Sequence, residues 1–331
     1  MIRNLQCLPA QVALIAACVL SVAPLAAPGQ SFPSRPVKIV VPVAAAGALD
    51  PLARVVASRL SDLWKQPVLV ENRPGANGII GADYVSKSEP DGYVMLMSEA
   101  SPLVMSPHLY KKIPYDARTG FTPITMVVRL PWVIGVHASV PANTLAELAA
   151  LAKAKPGLLS YGSIGLGSSA HIKFEQLKSA LGIDIIHVPY KGAGPAMTDL
   201  LAGQISMIMI TPGLVEPHAR SGKLRMIATA MAERIPALPN LPTVAESGVP
   251  GFEAGTWFGL MGPPAMSREI VAKIYGDATT VLGNPSFREQ NMTKQWMVPP
   301  ASSTPEQFAQ FLKLEYERWG QLIKTAGVSV E

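Results

Sequence analysis

Cysteine is nearly absent from the sequence: the 331 residues include only Cys7 and Cys18, both near the N-terminus. The rest of the chain therefore has no disulfide, thiolate metal site or cysteine nucleophile. Basic and acidic residues number 28 and 23, and no block of Lys and Arg stands out, so no nucleic-acid groove is expected. After residue 25, no apolar run approaches the roughly 20 residues that a membrane-spanning helix needs.

The N-terminal segment contains the longest apolar stretch. Arg3 precedes the run Val12–Leu25, and small and turn-forming residues follow it. A positive start, a short apolar core and small residues before a cleavage point are typical of a secretory signal peptide. We therefore expect residues 1–29 to be a signal peptide that is removed on export. A lipoprotein anchor at Cys18 is less favoured, because the residues after it stay apolar.

The remaining chain is long enough for two domains, because one hydrophobic core rarely organises more than about 250 to 300 residues. Strand-like runs alternate with amphipathic helical patterns, for example Val37–Val43 before Pro51–Trp64. Further along, the same alternation restarts, with Leu159–Gly162 before Ser169–Leu181. This pattern is typical of parallel sheets with crossover helices, and it predicts two α/β lobes.

The end of the chain is predicted to be one long helix. Residues 304–307 (TPEQ) combine an N-cap, a proline at the first helical position and a glutamine that completes a capping box. The helix is expected to stop near Gly327. Residues 237–255, rich in Pro and Gly, are interpreted as a return path to the first lobe, and they precede a strand over Trp257–Met261.

Three strand-to-helix loops share one construction: small, flexible residues leave a strand, and a capping residue opens the next helix. They cover residues 42–51, 161–169 and 190–195. Helix N-termini present unpaired N–H groups and a partial positive charge, and such loops cluster beyond the carboxyl ends of parallel strands. The three loops are therefore suited to holding a carboxylate or phosphate.

Some of these loop residues also have purely structural interpretations. Asp50, which precedes a proline, and Ser168 are ordinary helix caps. His171, in the first turn of its predicted helix, is expected to be a packing residue. For Tyr161, Ser163 and Ser168, polar groups around a flexible loop, a binding role is favoured.

Catalytic motifs are weak or incomplete. Residues 165–170 (GLGSSA) fit a dinucleotide-binding turn, but the next strand ends in Val188–Tyr190, where that motif needs an acidic residue. A hydrolytic pair of Ser163 and His171 is conceivable, yet no separate motif supplies an oxyanion hole. The histidines are scattered without metal-ligand spacing. The sequence thus gives no positive evidence for an enzyme, and we expect no metal or cofactor.

Short motifs are spread over nearly the whole chain after the N-terminal segment: PSRP at 33–36, ENRPGA at 71–76, PDGY at 90–93, YGS at 161–163, VPYKG at 188–192, LPTVAESG at 241–248 and WFGL at 257–260. Taken in this order, they resemble the solute-binding components of tripartite tricarboxylate transporters, the Bug or TctC family. Each motif alone is weak, but their order and coverage are specific.

The resemblance implies an α/β, periplasmic-binding-protein-like fold (type II, Venus flytrap) with two lobes around a ligand cleft. Lobe 1 would hold residues 32–130 plus 256–331, and lobe 2 residues 131–255. The resemblance also implies a monomeric periplasmic protein that passes a small carboxylate-bearing solute to the integral-membrane permease subunits of a tripartite tricarboxylate-type transporter. Presentation of the closed, ligand-bound form to a sensor kinase is the alternative.

In proteins of this family, the first two loops grip the ligand carboxylate with backbone amides and hydroxyls, and an acidic residue matching Asp50 can meet the amine of an amino-acid ligand. The candidate ligand-binding residues are Ala46, Gly47, Asp50, Tyr161, Ser163, Gly165, Ser168 and Tyr190. The family usually has an aromatic residue where Val43 stands and glycine where Ala46 stands. These departures leave the ligand open among dicarboxylates, tricarboxylates, aromatic acids and amino acids.

Overall fold

The structure is a computed structural model that describes residues 32–45, 48–300, 303–327 and 329. The predicted signal peptide, residues 1–29, and two candidate ligand-binding residues, Ala46 and Gly47, lie outside the described residues. Among the helices of the described ranges, none is both long enough and apolar enough to cross a membrane.

Five strands form the first sheet, in the order β2-β1-β3-β10-β4. They are β1 (Val37–Val41), β2 (Val68–Asn72), β3 (Val94–Ser98), β4 (Thr122–Pro131) and β10 (Gly255–Gly262). β1 is parallel to β2 and β3, whereas β10 is antiparallel to β3 and β4. The carboxyl ends of β1, β2 and β3 therefore meet at one edge of the sheet.

Successive residues of these strands face two separate cores, because strand side chains alternate between the faces of a sheet. Ile39 and Val41 face one core and Val40 faces the other. The first core is covered by α1 (Leu49–Trp64), α8 (Arg268–Gly283) and α9 (Pro285–Asn291). The second is covered by α2 (Ile79–Ser86), a π-helix (Ser101–Met105), α3 (Ser106–Leu109) and α10 (Pro305–Ala326).

The second sheet has the order β7-β6-β8-β5-β9. Its strands are β5 (Val133–His137), β6 (Ser160–Ser163), β7 (Ile186–Pro189), β8 (Met207–Ile210) and β9 (Leu224–Thr229). β6 is parallel to β7 and β8, and β5 is antiparallel to β8 and β9. Helices α4 (Leu145–Ala154) and α5 (Ser169–Leu181) pack on one face, and α6 (Ala193–Leu201) and α7 (Pro212–Arg220) on the other.

The chain passes between the two sheets twice, beside the paired strands β4 and β10. Trp132 separates β4 from β5, and residues 230–254 lead from β9 back to β10. The two crossings are bonded to each other: the Ala230 N–H donates to the Trp132 carbonyl at 2.8 Å, and the Ala254 N–H donates to the Ala230 carbonyl at 2.6 Å. The predicted return path to the first sheet is therefore confirmed.

The two sheets confirm the predicted α/β class, although the parallel sheets expected from the sequence are in fact mixed. Strand β4 and helix α8 were not predicted. The capping box is confirmed, since Thr304 Oγ1 accepts from the Gln307 N–H at 3.3 Å and Gln307 Oε1 accepts from the Thr304 N–H at 2.9 Å. The predicted end of α10 is also confirmed at Gly327, whose φ is +63°.

Gly259 of β10 lies directly under the ring of Phe308 of α10, and a Cβ at this position would overlap that ring. We therefore expect Gly259→Ala to destabilise the protein by about 1 to 3 kcal/mol, because an extra methyl group in a filled core forces its neighbours to move. Urea unfolding measures the effect.

Gly276→Ala is the matched control for this prediction. Gly276 is an exposed position in α8, and a Cβ there would have no neighbour within 4 Å. Alanine there should raise the free energy of unfolding by about 0.5 to 1 kcal/mol, because it favours the helix more than glycine does. Equal stability of the Gly259→Ala and wild-type proteins would show that α10 can shift away from β10.

Candidate functional site

A cavity of about 290 Å³ lies between the two sheets, where the ends of β1, β2 and β3 face the loop after β6. Its volume is at the lower end of the range for small-molecule sites. It is lined by Pro42, Val43, Pro74, Gly75, Asn77, Gly78, Glu99, Ser101, Met105, Ser106, Leu109, and residues 164–169. Both sheets thus contribute walls, and the position matches the rule that ligands bind beyond the carboxyl ends of parallel strands.

Larger cavities lie elsewhere in the described structure, with volumes of about 560, 600 and 530 Å³, and the third of these lies between α1 and the start of α9. The first lies beside the crossings, between residues 231–236 and α10, and the second is an apolar pocket formed by α10, Phe121 and their neighbours. None of these three is lined by any of the predicted anion-binding loops. The smaller cleft cavity contains parts of the first two loops, and we therefore treat it as the candidate site.

The loop between β6 and α5 presents backbone rather than charged groups to the cavity. Gly165 and Gly167 have φ values of +145° and +72°, which residues with side chains rarely adopt. Ser168 is the N-cap of α5, and its Oγ accepts from the His171 N–H at 3.3 Å. The first N–H groups of α5 have no partner within the helix, so this end suits an anion.

His171 and His187 support the conformation of this loop. Their rings stack with centroids 3.9 Å apart. His171 Nδ1 accepts from the Gly167 N–H at 3.1 Å, so its imidazole fixes the loop conformation. Burial lowers the pKa of His171, and burial, reinforced by His171, lowers the pKa of His187 to about 4. His171 is thus the packing residue expected from the sequence, with an added role in loop support.

Ser163 belongs to the same support. It is fully buried, its Oγ lies 2.7 Å from His187 Nε2, and it also contacts the N–H and carbonyl of Gly165. Its histidine partner is therefore His187, and the Ser163–His171 pair considered from the sequence is not formed. The Ser163 hydroxyl is thus bonded within the loop and to His187, and Ser163 does not line the cavity.

The structure brings only Gly165 and Ser168, among the described candidate residues, to the cavity wall. Tyr161 is fully buried, and its hydroxyl donates to Glu175 Oε1 at 2.6 Å. Tyr190 of the third loop donates to Asp199 Oδ2 at 2.8 Å; burial and this bond raise the pKa of Tyr190 to about 12. Both tyrosines shape the fold around the loops.

Asp50 lies in the first turn of α1 and is not its N-cap, which is Ala48. The predicted capping role of Asp50 is therefore wrong. Its buried carboxylate accepts two bonds of 3.0 Å from the Arg54 guanidinium and one of 2.8 Å from Asn72 Nδ2. Asn72 Nδ2 also donates to the Val43 carbonyl at 3.1 Å. This network ties the end of β2 to the loop after β1.

Sequence analysis missed four polar residues of the cavity: Asn77, Glu99, Ser101 and Ser106. Asn77 follows β2, and the other three follow β3. The sequence could have indicated them, because the rule that ligands bind beyond the carboxyl ends of parallel strands applies to β2 and β3 as well as to the three predicted loops. Neither segment combines a run of small residues with a helix-capping residue, which is the construction shared by the three predicted loops.

Ser106 is the most informative of these residues. It is only 1% exposed, it lines the cavity, and its Oγ has no hydrogen-bond partner among the described residues. A buried hydroxyl without a partner costs free energy, so such groups point to a ligand or ordered water.

The described cavity wall contains no Lys, Arg or His side chain. An anion there would be held by the first N–H groups of α5, which have no partner within the helix, and by hydroxyls such as that of Ser106. Within the described ranges, no group of three His, Asp or Glu side chains is arranged to hold a metal ion.

Asp50→Asn should lower the free energy of unfolding by about 1 to 2 kcal/mol at pH 7, because a buried charge-assisted network loses its anion. The Arg54 bonds lower the pKa of Asp50 despite burial. The stabilisation is therefore complete above the ordinary carboxyl pKa of 3.8 and is lost as the pH falls through the lower folded-state pKa. Urea unfolding from pH 7 to pH 2.5 measures both effects.

Asp62→Asn, an exposed change on the same helix, is the control and should leave stability within about 0.5 kcal/mol. If Asp50→Asn were as stable as the wild type but bound amino acids more weakly, Asp50 would have the ligand-binding role that the family resemblance implies.

Comparison with known proteins places these observations in context. The chain matches the family model described as the tripartite tricarboxylate transporter family receptor over residues 52–328. It is similar to an R. palustris protein solved with adipate, at 34% identity and a TM-score of 0.79, over 90% of this chain and 99% of that chain. It is also similar to the periplasmic binding protein BugD, at 35% identity and a TM-score of 0.76, over 91% and 100% of the two chains. MatC of Rhodopseudomonas palustris, solved with bound malate, is 29% identical with a TM-score of 0.74, over 88% and 100%.

Proposed function

Because the chain belongs to the tripartite tricarboxylate transporter receptor family, we propose that it captures a small carboxylate-bearing solute in the periplasm and delivers it to a transporter of that type. The family and its solved members are solute-binding proteins and not enzymes. Two relatives were solved with the dicarboxylates adipate and malate. These relatives support a carboxylate as the group that the cavity recognises.

The observation that carries the proposal is the pairing of two features across the cavity. The N-terminus of α5, which begins at Ser169 after the Ser168 cap, presents N–H groups without a partner within the helix from one sheet. The hydroxyl of Ser106, which has no partner among the described residues, comes from the other. Each charge-assisted bond to a carboxylate contributes about 1.5 to 3 kcal/mol. A few such bonds suffice for micromolar affinity, about 8 kcal/mol, after ordering costs.

Binding then favours closure, because one carboxylate can contact residues from both sheets only when they approach each other. We assign residues 32–130 plus 256–331 to lobe 1 and residues 131–255 to lobe 2, with the bonded crossings as the hinge. Supporting this division, Trp132 alone separates β4 from β5, and the returning segment is hydrogen-bonded to Trp132 and between its own ends at Ala230 and Ala254. The closed form is the one that docks on the permease subunits.

Export through the predicted signal peptide places the protein in the periplasm under this proposal. Of the candidate residues, Gly165 and Ser168 contact the carboxylate, while Tyr161, Ser163 and Tyr190 hold the loops that carry the contacts. Ala46 and Gly47 stay predictions for the first loop.

Thermal unfolding of residues 30–331 with a panel of carboxylates and their neutral amides tests capture. An acid at about 100 times its dissociation constant should stabilise the protein by about 2.7 kcal/mol, and its amide should not. Ser106→Ala should weaken binding of that acid about 5- to 30-fold, since a hydrogen bond to a charged group is lost. The variant should unfold like the wild type without ligand, because the Ser106 hydroxyl has no protein partner in the described structure.

Ser179→Ala, an exposed change on α5, is the control and should bind normally. If no carboxylate raised the midpoint, carboxylate capture would be refuted. If Ser106→Ala bound the acid as tightly as the wild type, the wall formed by α3 would not contact the ligand.

Delivery is tested separately, by uptake of the same radiolabelled acid into cells that lack the gene. Uptake should fall to the background and return with the wild-type gene, but return only partly with Ser106→Ala. Normal uptake without the gene, together with loss of a transcriptional response to the acid, would favour the sensor-kinase alternative.

A further inference from the structure

Glu99 is the one ionisable side chain among the described residues that line the cavity. It directly follows β3, on the wall contributed by the first sheet, whereas the α5 loop forms the opposite wall. Its carboxylate accepts a bond of 3.2 Å from Ser101 Oγ, and it has no ion pair with any described residue. A carboxyl group facing a small cavity without a cation is an unusual choice for a site that binds anions.

Its surroundings are unfavourable for a negative charge. Burial raises the pKa of Glu99, and the Ser101 hydroxyl opposes this only in part. A second ligand carboxylate placed near Glu99 would add like-charge repulsion in a poorly solvated space, which either costs binding energy or forces one group to take up a proton. An ammonium group in the same place would give Glu99 the partner that it lacks.

Asp50 is the acidic residue that the family resemblance assigns to a ligand amine. Asp50 is already bound by Arg54 and Asn72, and it does not line the cavity. The cavity therefore offers one carboxylate site, at the α5 loop, and one uncompensated acid, Glu99.

We propose that Glu99 determines the specificity of the cavity and that the preferred solute carries a cationic nitrogen, which pairs with Glu99, in addition to its carboxylate. This inference rests on the proposed function, because it takes the carboxylate site as given. It selects amino-carboxylates over plain dicarboxylates such as those solved with the relatives.

Two matched pairs of ligands test the inference by calorimetry. 5-Aminopentanoate replaces one carboxylate of adipate with an ammonium group, and aspartate replaces the hydroxyl of malate with one. In the wild type, we expect the ammonium-bearing member of at least one pair to bind ten-fold or more tightly than its partner.

Glu99→Gln keeps the shape of the side chain and one oxygen that can accept the Ser101 bond, but it removes the charge. It should weaken the ammonium-bearing ligand ten-fold or more, and it should leave the matched dicarboxylate unchanged or strengthen it. Glu89→Gln, an exposed change outside the cavity, should alter neither. Unfolding curves of both variants confirm that they are folded before binding is compared.

The possible failures are distinguishable. If adipate and malate bind more tightly than their ammonium-bearing partners in the wild type, the role of Glu99 is refuted while carboxylate capture stands. The same holds if Glu99→Gln binds the ammonium-bearing ligand as tightly as the wild type does. If none of the four acids and no member of the wider carboxylate panel binds, the proposed function and this inference fail together.

Discussion

The pairing of β4 with β10 is the constraint on which the rest of the structure depends. These strands run antiparallel from Thr122 opposite Gly262 to Pro131 opposite Gly255, and the chain leaves the first sheet from one and returns to it through the other. The second sheet is attached at that end by the bonded crossings. This attachment brings the loop after β6 opposite the ends of β1, β2 and β3, and so creates the cavity.

The cavity wall formed by the loop between β6 and α5 is rich in glycine, but buried contacts hold it in place. Gly165 and Gly167 let the backbone approach a ligand, yet glycine-rich loops lose entropy when they are fixed. This entropic cost is offset by buried contacts that hold the loop in one conformation: the hydrogen bonds of Ser163 with His187 and of Gly167 with His171, and the stacked rings of the two histidines. The neutral imidazoles add no charge, so the α5 N–H groups determine the electrostatics at this wall.

The polar residues near the site fall into two groups: those bonded to other protein side chains and those that line the cavity. Asp50, Tyr161 and Tyr190 are bound by Arg54, Glu175 and Asp199, respectively, none of which adjoins them in the sequence. Within the part of the chain that the structure describes, Ser106 and Glu99 have no comparable partner, and both line the cavity. A motif marks residues that matter to the fold around a site, and only the contact pattern separates those that support it from those that face the ligand.

The sequence by itself determined the α/β class, the three loops, the capping box of α10 and the family, because these follow from periodicity, capping chemistry and motif order. Strand β4 escaped prediction, since a continuous run through Trp132 into β5 does not show where one sheet ends and the next begins. Only the tertiary structure decided which loops meet, that Asp50 is used internally and that Glu99 and Ser106 share a cavity. The physical reason is that burial and hydrogen-bond satisfaction depend on neighbours far apart in the chain: Ser106 and Ser168 are brought to one cavity by the return of β10 to the first sheet.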